Sequence, residues 1–182
     1  MVSTDDGPRA GVTLEAVSQL KPVFRADGTV TAGNCCPLND GAAAVVIMSD
    51  TKARELGLTP LARIISTGVT ALSLEIMGLG PVEASRQALR RAGMTIDDVD
   101  LVEINEAFAA QVIPSYRELG IPLEKLNVNG GAIAIGHPFG STGARITGTL
   151  LNSLDWHDKS IGLETMCVGG GQCMAMVLER LS

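Results

Sequence analysis

From residue 1 to 40 the apolar positions follow no sustained period, with one exception. Leu14, Val17 and Leu20 share a face, which predicts a helix over Thr13 to Leu20. Lys21-Pro22 ends it, since proline lacks the amide donor and disfavours helix in the residue before it. Asp27-Gly28 marks a turn. The polar stretch Gly33 to Gly41 leads into the longest apolar run, Ala42-Ala43-Ala44-Val45-Val46-Ile47-Met48. Its Val-Val-Ile end predicts a buried strand, while its alanines also permit a helical start. Ser49 or Asp50 can cap a short helix that stops at Gly57.

The pattern turns regular from Leu61. Ala62 to Gly68 reads as a strand, and a glycine-rich loop leads to Pro81, placed for the first turn of a helix ending at Gly93. Val82, Ser85, Ala88, Leu89 and Ala92 form its inner face. Val99 to Ile104 predicts a second strand. Glu106 to Leu119 predicts a second helix, bent at Pro114, with Phe108, Ala109, Val112, Ile113 and Tyr116 together. Val128 to Ile135 reads as glycine-rich and extended, a third strand, followed by a helix from Ser141 or Thr142 to Leu154. Ser160 to Cys167 and Cys173 to Arg180 are the last two strands. Alternating strands and helices predict an α/β domain with parallel pairing, and the final connection is too short for anything but an antiparallel return.

Composition narrows the function classes. The formal net charge is −6 and the 14 Lys and Arg form no cluster, which argues against binding a nucleic-acid backbone. The longest apolar run falls far short of the roughly 20 residues of a membrane span, and Met1 to Asp6 lack the character of a signal peptide. A cytoplasmic protein is expected, with neither membrane nor nucleic-acid partner. Only five residues are aromatic (Trp 1, Tyr 1, Phe 3), so the apolar content consists largely of small and aliphatic side chains suited to close layers or to a partner surface. The four cysteines resemble neither a secreted disulfide framework nor spaced metal ligands, and no metal is expected. His157, in Trp156-His157-Asp158-Lys159, reads as a solvated loop residue.

Three segments follow predicted strands, where open α/β sheets place their ligand sites: Asn105-Glu106-Ala107-Phe108-Ala109, Asn129 to Gly143, and Cys167-Val168-Gly169-Gly170-Gly171-Gln172. Each residue of interest has a plain structural reading. Asn105 could cap the following helix, His137 could sit in a tight turn, and Cys167 could be a small core side chain. Their combination suggests more. Glycines allow close backbone approach and present N–H groups to developing negative charge, and a thiol with a lowered pKa can act as nucleophile or acid/base. Such a site suits acyl or thioester chemistry.

Asn105-Glu106-Ala107-Phe108, Gly130-Gly131-Ala132-Ile133-Ala134-Ile135-Gly136-His137-Pro138 and Cys167-Val168-Gly169-Gly170-Gly171 resemble three C-terminal signatures of thiolases, the acetyl-CoA acetyltransferases. Thr31-Ala32-Gly33-Asn34, with Leu38-Asn39-Asp40-Gly41-Ala42-Ala43, is similar to a fourth thiolase segment. Glu164-Thr165-Met166-Cys167 is similar to the same stretch of bacterial acetyl-CoA acetyltransferases of fatty-acid or steroid breakdown. The resemblance implies reversible condensation and thiolytic cleavage of acetyl-CoA and acyl-CoA, with coenzyme A thioesters as substrates and no permanent cofactor. Cys167 would be the acid/base, and His137 would activate the nucleophile and help hold the thioester oxygen. Asn105 would fix a water in the same oxyanion hole, with Gly169 contributing an N–H to the other. Ala32, Gly33, Cys36, Ala107 and Phe108 would contact the CoA moiety, with Cys36 standing where relatives usually have serine. Cys173 departs from the family's glycine, and a side chain there could crowd the turn or the following strand.

A thiolase is about twice this length and has two related α/β halves. The resemblance therefore makes residues 1–57 the end of the loop domain with the last strand and helix of the first half, and 58–182 the C-terminal domain. The implied fold is a thiolase-type C-terminal half, a mixed sheet with a final antiparallel strand, plus an orphan segment of the first half. The acylated cysteine and the residues meeting the CoA phosphates would lie in that first half. It becomes an expected partner, alongside homo-oligomerisation through the uncovered apolar run. Two alternatives stand beside this reading: a non-catalytic thiolase-like subunit, and a CoA- or lipid-binding module without turnover.

Overall fold

The computed structural model describes residues 3–5 and 7–182; Met1, Val2 and Asp6, within the stretch read against a signal peptide, lie outside it. Helix α1 spans Leu14–Ser18 and α2 Asp50–Glu55, each opened by a hydroxyl cap, Thr13 Oγ1 accepting from Ala16 N and Ser49 Oγ from Lys52 N. The rest alternates: β1 (Ala62–Ala71), α3 (Gly80–Ala92), β2 (Leu101–Ile104), α4 (Ala109–Leu119), α5 (Ala132–Ile135), α6 (Thr142–Trp156), β3 (Ile161–Val168) and β4 (Gln172–Arg180). Pro81 sits in the first turn of α3, and Gly93 closes it in the left-handed conformation at φ 69°.

Among the described residues the four strands form one sheet in the order β1-β4-β3-β2. Only β2 and β3 pair in parallel; β4 returns antiparallel to β3, as the short connection requires, and β1 lies antiparallel against β4. Helices α3 and α4 cover one face, where Val82, Ala88, Val102, Ile104, Leu163 and Val177 bury one another. Helix α6 covers the other, packing Leu150 and Leu154 on Leu101 and Leu178. Residues of both parities along β2 and β3 are therefore buried, which is why these strands read as near-continuous apolar runs. Small residues let α3 approach closely, so that Ser66 Oγ in β1 donates to the Ala88 carbonyl at 2.7 Å.

Three expectations change. The run Ala42–Met48 carries no strand: it is exposed, and all four strands of the sheet are paired elsewhere. Val128 to Ile135 is not a third strand. Gly130 and Gly136 take positive φ, and Ala132–Ile135 closes a single helical turn, leaving one isolated bridge between Leu126 and Val102. With that strand absent, β2 and β3 are the one parallel pair of strands among the described residues. Helix α4 starts at Ala109 and not at Glu106, and it buries Gln111, Val112, Ser115 and Leu119 while Ile113 faces solvent. Pro114 falls within it as expected.

Candidate active site

The carboxyl ends of the parallel pair, Ile104 in β2 and Val168 in β3, point to the same edge of the sheet. Residues 34–39 run along that edge. Cys36 N donates to the Ala107 carbonyl at 3.0 Å, Ala109 N to the Asn34 carbonyl at 2.9 Å, and His137 N to the Pro37 carbonyl at 3.2 Å. Asn39 Nδ2 reaches the Ile135 carbonyl at 3.1 Å. Gly136, at φ 95°, lies so close to the Asn39 amide that a Cβ would overlap it. The segment thus stitches the loop after β2 to the loop before α6, and it brings together the Asn105 and His137 motifs.

Asn105 follows β2, its N–H donating to the Thr165 carbonyl at 3.0 Å. It does not cap α4, whose N-cap is Phe108 without a side-chain bond. Arg145 Nη2 of α6 donates to Asn105 Oδ1 at 3.2 Å, while Asn105 Nδ2 is buried with no partner. The loop beyond is tied down by Asn127. Its Oδ1 accepts from Ile104 N at 2.8 Å, and its Nδ2 donates to Glu106 Oε1 at 2.9 Å. Glu106 Oε2 in turn accepts from Ile133 N at 3.1 Å.

His137 is buried, its Nδ1 lying 2.6 Å from Thr142 Oγ1. The threonine commits its proton to the Pro138 carbonyl at 3.1 Å. With that bond kept, Nδ1 carries the hydrogen and donates, which leaves Nε2 of the neutral ring as an acceptor. Burial, and then the Arg145 charge, lower the imidazole pKa and favour that neutral form.

Cys167 projects from β3 to the α3 and α4 side, within the core cluster. Its thiol is not activated as the sequence reading expects. Burial raises its pKa, its own N–H lowers it less, and Cys36 raises it further. The Cys36 thiol is likewise raised, by burial first and then Cys35. Cys173 is the direct register partner of Cys167 across the hairpin and is fully buried. It does not crowd the turn. Its thiol occupies space that a Cβ on Gly80 would fill, and donates weakly to the Met77 carbonyl at 3.7 Å.

The other expected contacts are spread out. Gly169 is exposed in the β3–β4 turn, where Gly170 and Gly171 take the positive φ. Ala32 is exposed and Gly33 lies against Val17 and Leu20. Ala107 is buried, and half-buried Phe108 meets Phe24 edge-on, ring centroids 6.2 Å apart. Sequence reasoning missed Arg145, Asn127, Glu103 and Glu164. A visible signal existed for the last two: each is a lone charge inside an apolar strand.

Comparison with known proteins matches residues 58–180 to the thiolase C-terminal domain and residues 1–51 to the thiolase N-terminal domain. The chain is 54% identical to an acetyl-CoA acetyltransferase of Pseudomonas aeruginosa over 97% of its own length and 45% of that protein. It is 53% identical to one of Escherichia coli over 99% of this chain and 46% of that protein. It thus spans about half the length of these relatives. Among solved structures it superposes with TM-score 0.94 on a Bacillus anthracis acetyl-CoA acetyltransferase (48% identity, covering 97% of this chain and 45% of that one). On a human mitochondrial 3-ketoacyl-CoA thiolase in complex with CoA the TM-score is 0.91 (43% identity, 100% and 46% covered). Among the described residues no helix is long and apolar enough to cross a membrane.

Proposed function

The chain belongs to the thiolase family, and from that premise we propose that it supplies the acid/base and oxyanion-binding half of an acyl-CoA acyltransferase. The acylated cysteine would come from the first half of the protein, whether upstream in the same gene or on a separate chain. The substrates are acetyl-CoA and acyl-CoA thioesters. The observation that carries this reading is the meeting at one sheet edge of two polar groups with no hydrogen-bond partner among the described residues: the acceptor Nε2 of His137 and the buried donor Nδ2 of Asn105. A folded core gains nothing from leaving the Asn105 donor unpaired, because an unmade buried hydrogen bond costs about 1–3 kcal/mol.

Their chemistry fits acyl transfer in sequence. His137 Nε2 takes the proton of the nucleophilic thiol, and the resulting N–H then faces the thioester oxygen as a donor beside a water fixed by Asn105 Nδ2. Gly169 N–H would serve the second oxyanion. Cys167 moves the α-proton of acetyl-CoA; its raised pKa makes the resting group a thiol and the thiolate a strong base once formed. Ala32, Gly33, Cys36, Ala107 and Phe108 are assigned to the CoA arm. The four cysteines, all free thiols, fit a reducing compartment.

The test is reconstitution with a polypeptide carrying the thiolase first half, following acyl-enzyme burst and deuterium entry into acetyl-CoA. Cys167→Ala should slow deuterium exchange by roughly 10²–10⁴-fold while sparing acylation, and His137→Asn should strike acylation first. Full deuterium exchange in Cys167→Ala would move the acid/base role elsewhere.

A further inference from the structure

Next to Asn105 lies a buried charged cluster for which the acyl-transfer scheme has no use. Glu103 of β2 and Glu164 of β3 are direct register partners on neighbouring parallel strands, on the face covered by α6. They are 1% and 6% exposed. Thr147 Oγ1 of α6 donates to Glu164 Oε1 at 2.9 Å, but Glu103 Oε1 and Glu164 Oε2 have no partner. Arg145 enters from the same helix, its Nη2 on Asn105 Oδ1 at 3.2 Å and its Nε unpaired. A primary amide has one accepting and one donating end, and the two differ only by a half-turn about the Cβ–Cγ axis. Asn105 is 1% exposed, so no solvent decides between them.

We propose that Arg145 is the positioning residue of this site, fixing which way round the Asn105 amide lies so that Nδ2 remains the donor that fixes the oxyanion-hole water. Without the guanidinium, either end of the amide could face the site, and the carbonyl end would take up a water hydrogen otherwise offered to the oxyanion. Three carboxyls (Glu103, Glu106 and Glu164) act on this cation, and His137 is the other titratable group that feels it. Burial pushes Glu103 up to about 8 and Glu164 up to about 7, so near neutrality the facing pair retains a proton and titrates as a unit. When that proton leaves, the guanidinium is drawn toward the carboxylates and its bond to Asn105 loosens. The proposal rests on the acyl-transfer reading for what Nδ2 binds, though not for the orientation itself.

The experiment labels asparagine with ¹⁵N in this chain and follows the Asn105 side-chain amide by relaxation-optimised correlation spectra. In the wild type its signals should stand apart from those of solvent-facing asparagines. They should collapse toward ordinary positions in Arg145→Met and recover in large part in Arg145→Lys, which restores a cationic donor. Unchanged Asn105 signals in a folded Arg145→Met chain overturn the proposal. Should that variant fail to fold, the wild type decides alone: Asn105 must shift with the midpoint at which the Glu103 and Glu164 carboxyl carbons titrate, and a flat response overturns it. In the reconstituted enzyme Arg145→Met should lower kcat by about 10²-fold with a smaller change in KM. Absence of turnover in every variant, with the amide signature intact, would defeat the acyl-transfer reading and leave this one standing.

Discussion

Two stretches of similar apolar character meet opposite fates. Ala42–Met48 contains no charged residue, yet Val46 is 84% and Ile47 71% exposed. Ile161–Val168 includes Glu164 and still buries Gly162, Leu163, Glu164, Thr165 and Cys167. The difference lies in what flanks them. β3 has a hydrogen-bonded strand on each side and helices over both faces, so even a carboxyl there is enclosed. The earlier run has no paired strand and no covering layer among the described residues. Hydrophobicity supplies the driving force for burial, but adjacent elements decide whether a surface exists to bury against.

The largest consequence concerns the state of the chain in solution. Size-exclusion chromatography at micromolar concentration should give species heavier than the 18.9 kDa monomer, as an uncovered apolar run seeks a partner. Val46→Lys with Ile47→Glu should shift the profile toward monomer. A sharp monomer peak from the wild type would break the contrast between the two stretches.

Truncating side chains measures the same contrast inside one chain. Leu163→Ala in β3 or Leu150→Ala in α6 removes a fully buried side chain and should cost about 2–5 kcal/mol in urea unfolding. Ile47→Ala should stay within about 0.5 kcal/mol. Equal losses would mean that the exposed run is covered by another copy.

The buried carboxyls make β2 and β3 sensitive to pH in an unusual direction. With Glu103 raised from 4.5 to about 8 and Glu164 to about 7, the folded chain holds protons that the unfolded chain has released. Stability contributed by these groups is full below the ordinary carboxyl value and is lost as pH climbs through the folded values. The decline is expected between pH 5 and 9, steepest near the folded values. His137, lowered by burial, acts oppositely, its contribution growing as pH rises toward 6.5. Urea midpoints across this range should fall for the wild type and flatten for Glu103→Gln. A midpoint that climbs with pH would exclude protonated carboxyls from this core.

The smallest effect sharpens the comparison from the stabilising side. Gly148 lies inside α6 with open space where a Cβ would stand. Gly148→Ala should raise stability by about 0.4–1 kcal/mol in the same assay, by restricting the unfolded chain. A loss would reveal a contact on α6 made by another copy of the chain.

Local signals carried much of the architecture. Pro81 and Gly93 bracket α3, Ser49 opens α2, and the short link after Val168 dictates the antiparallel hairpin, because each acts through bonds within a few residues. The motifs of Asn105, His137 and Cys167 are likewise contiguous in the chain, and the structure brings the Asn105 and His137 segments to one sheet edge, joined through residues 36 and 37.

What the sequence by itself determined, then, is each segment's backbone preference and apolar face, together with family membership, since both are written in contiguous residues. Tertiary structure alone decided the rest. It left Ala42–Met48 bare, turned Ala132–Ile135 into a helical turn under Glu106 and Asn127, and raised the Cys167 thiol by burial. It also set Glu103 against Glu164 and Arg145 on Asn105, pairs separated by dozens of residues along the chain. Hydrogen bonds and desolvation depend on distances in space, and no local pattern specifies which distant side chains will share a dry interior.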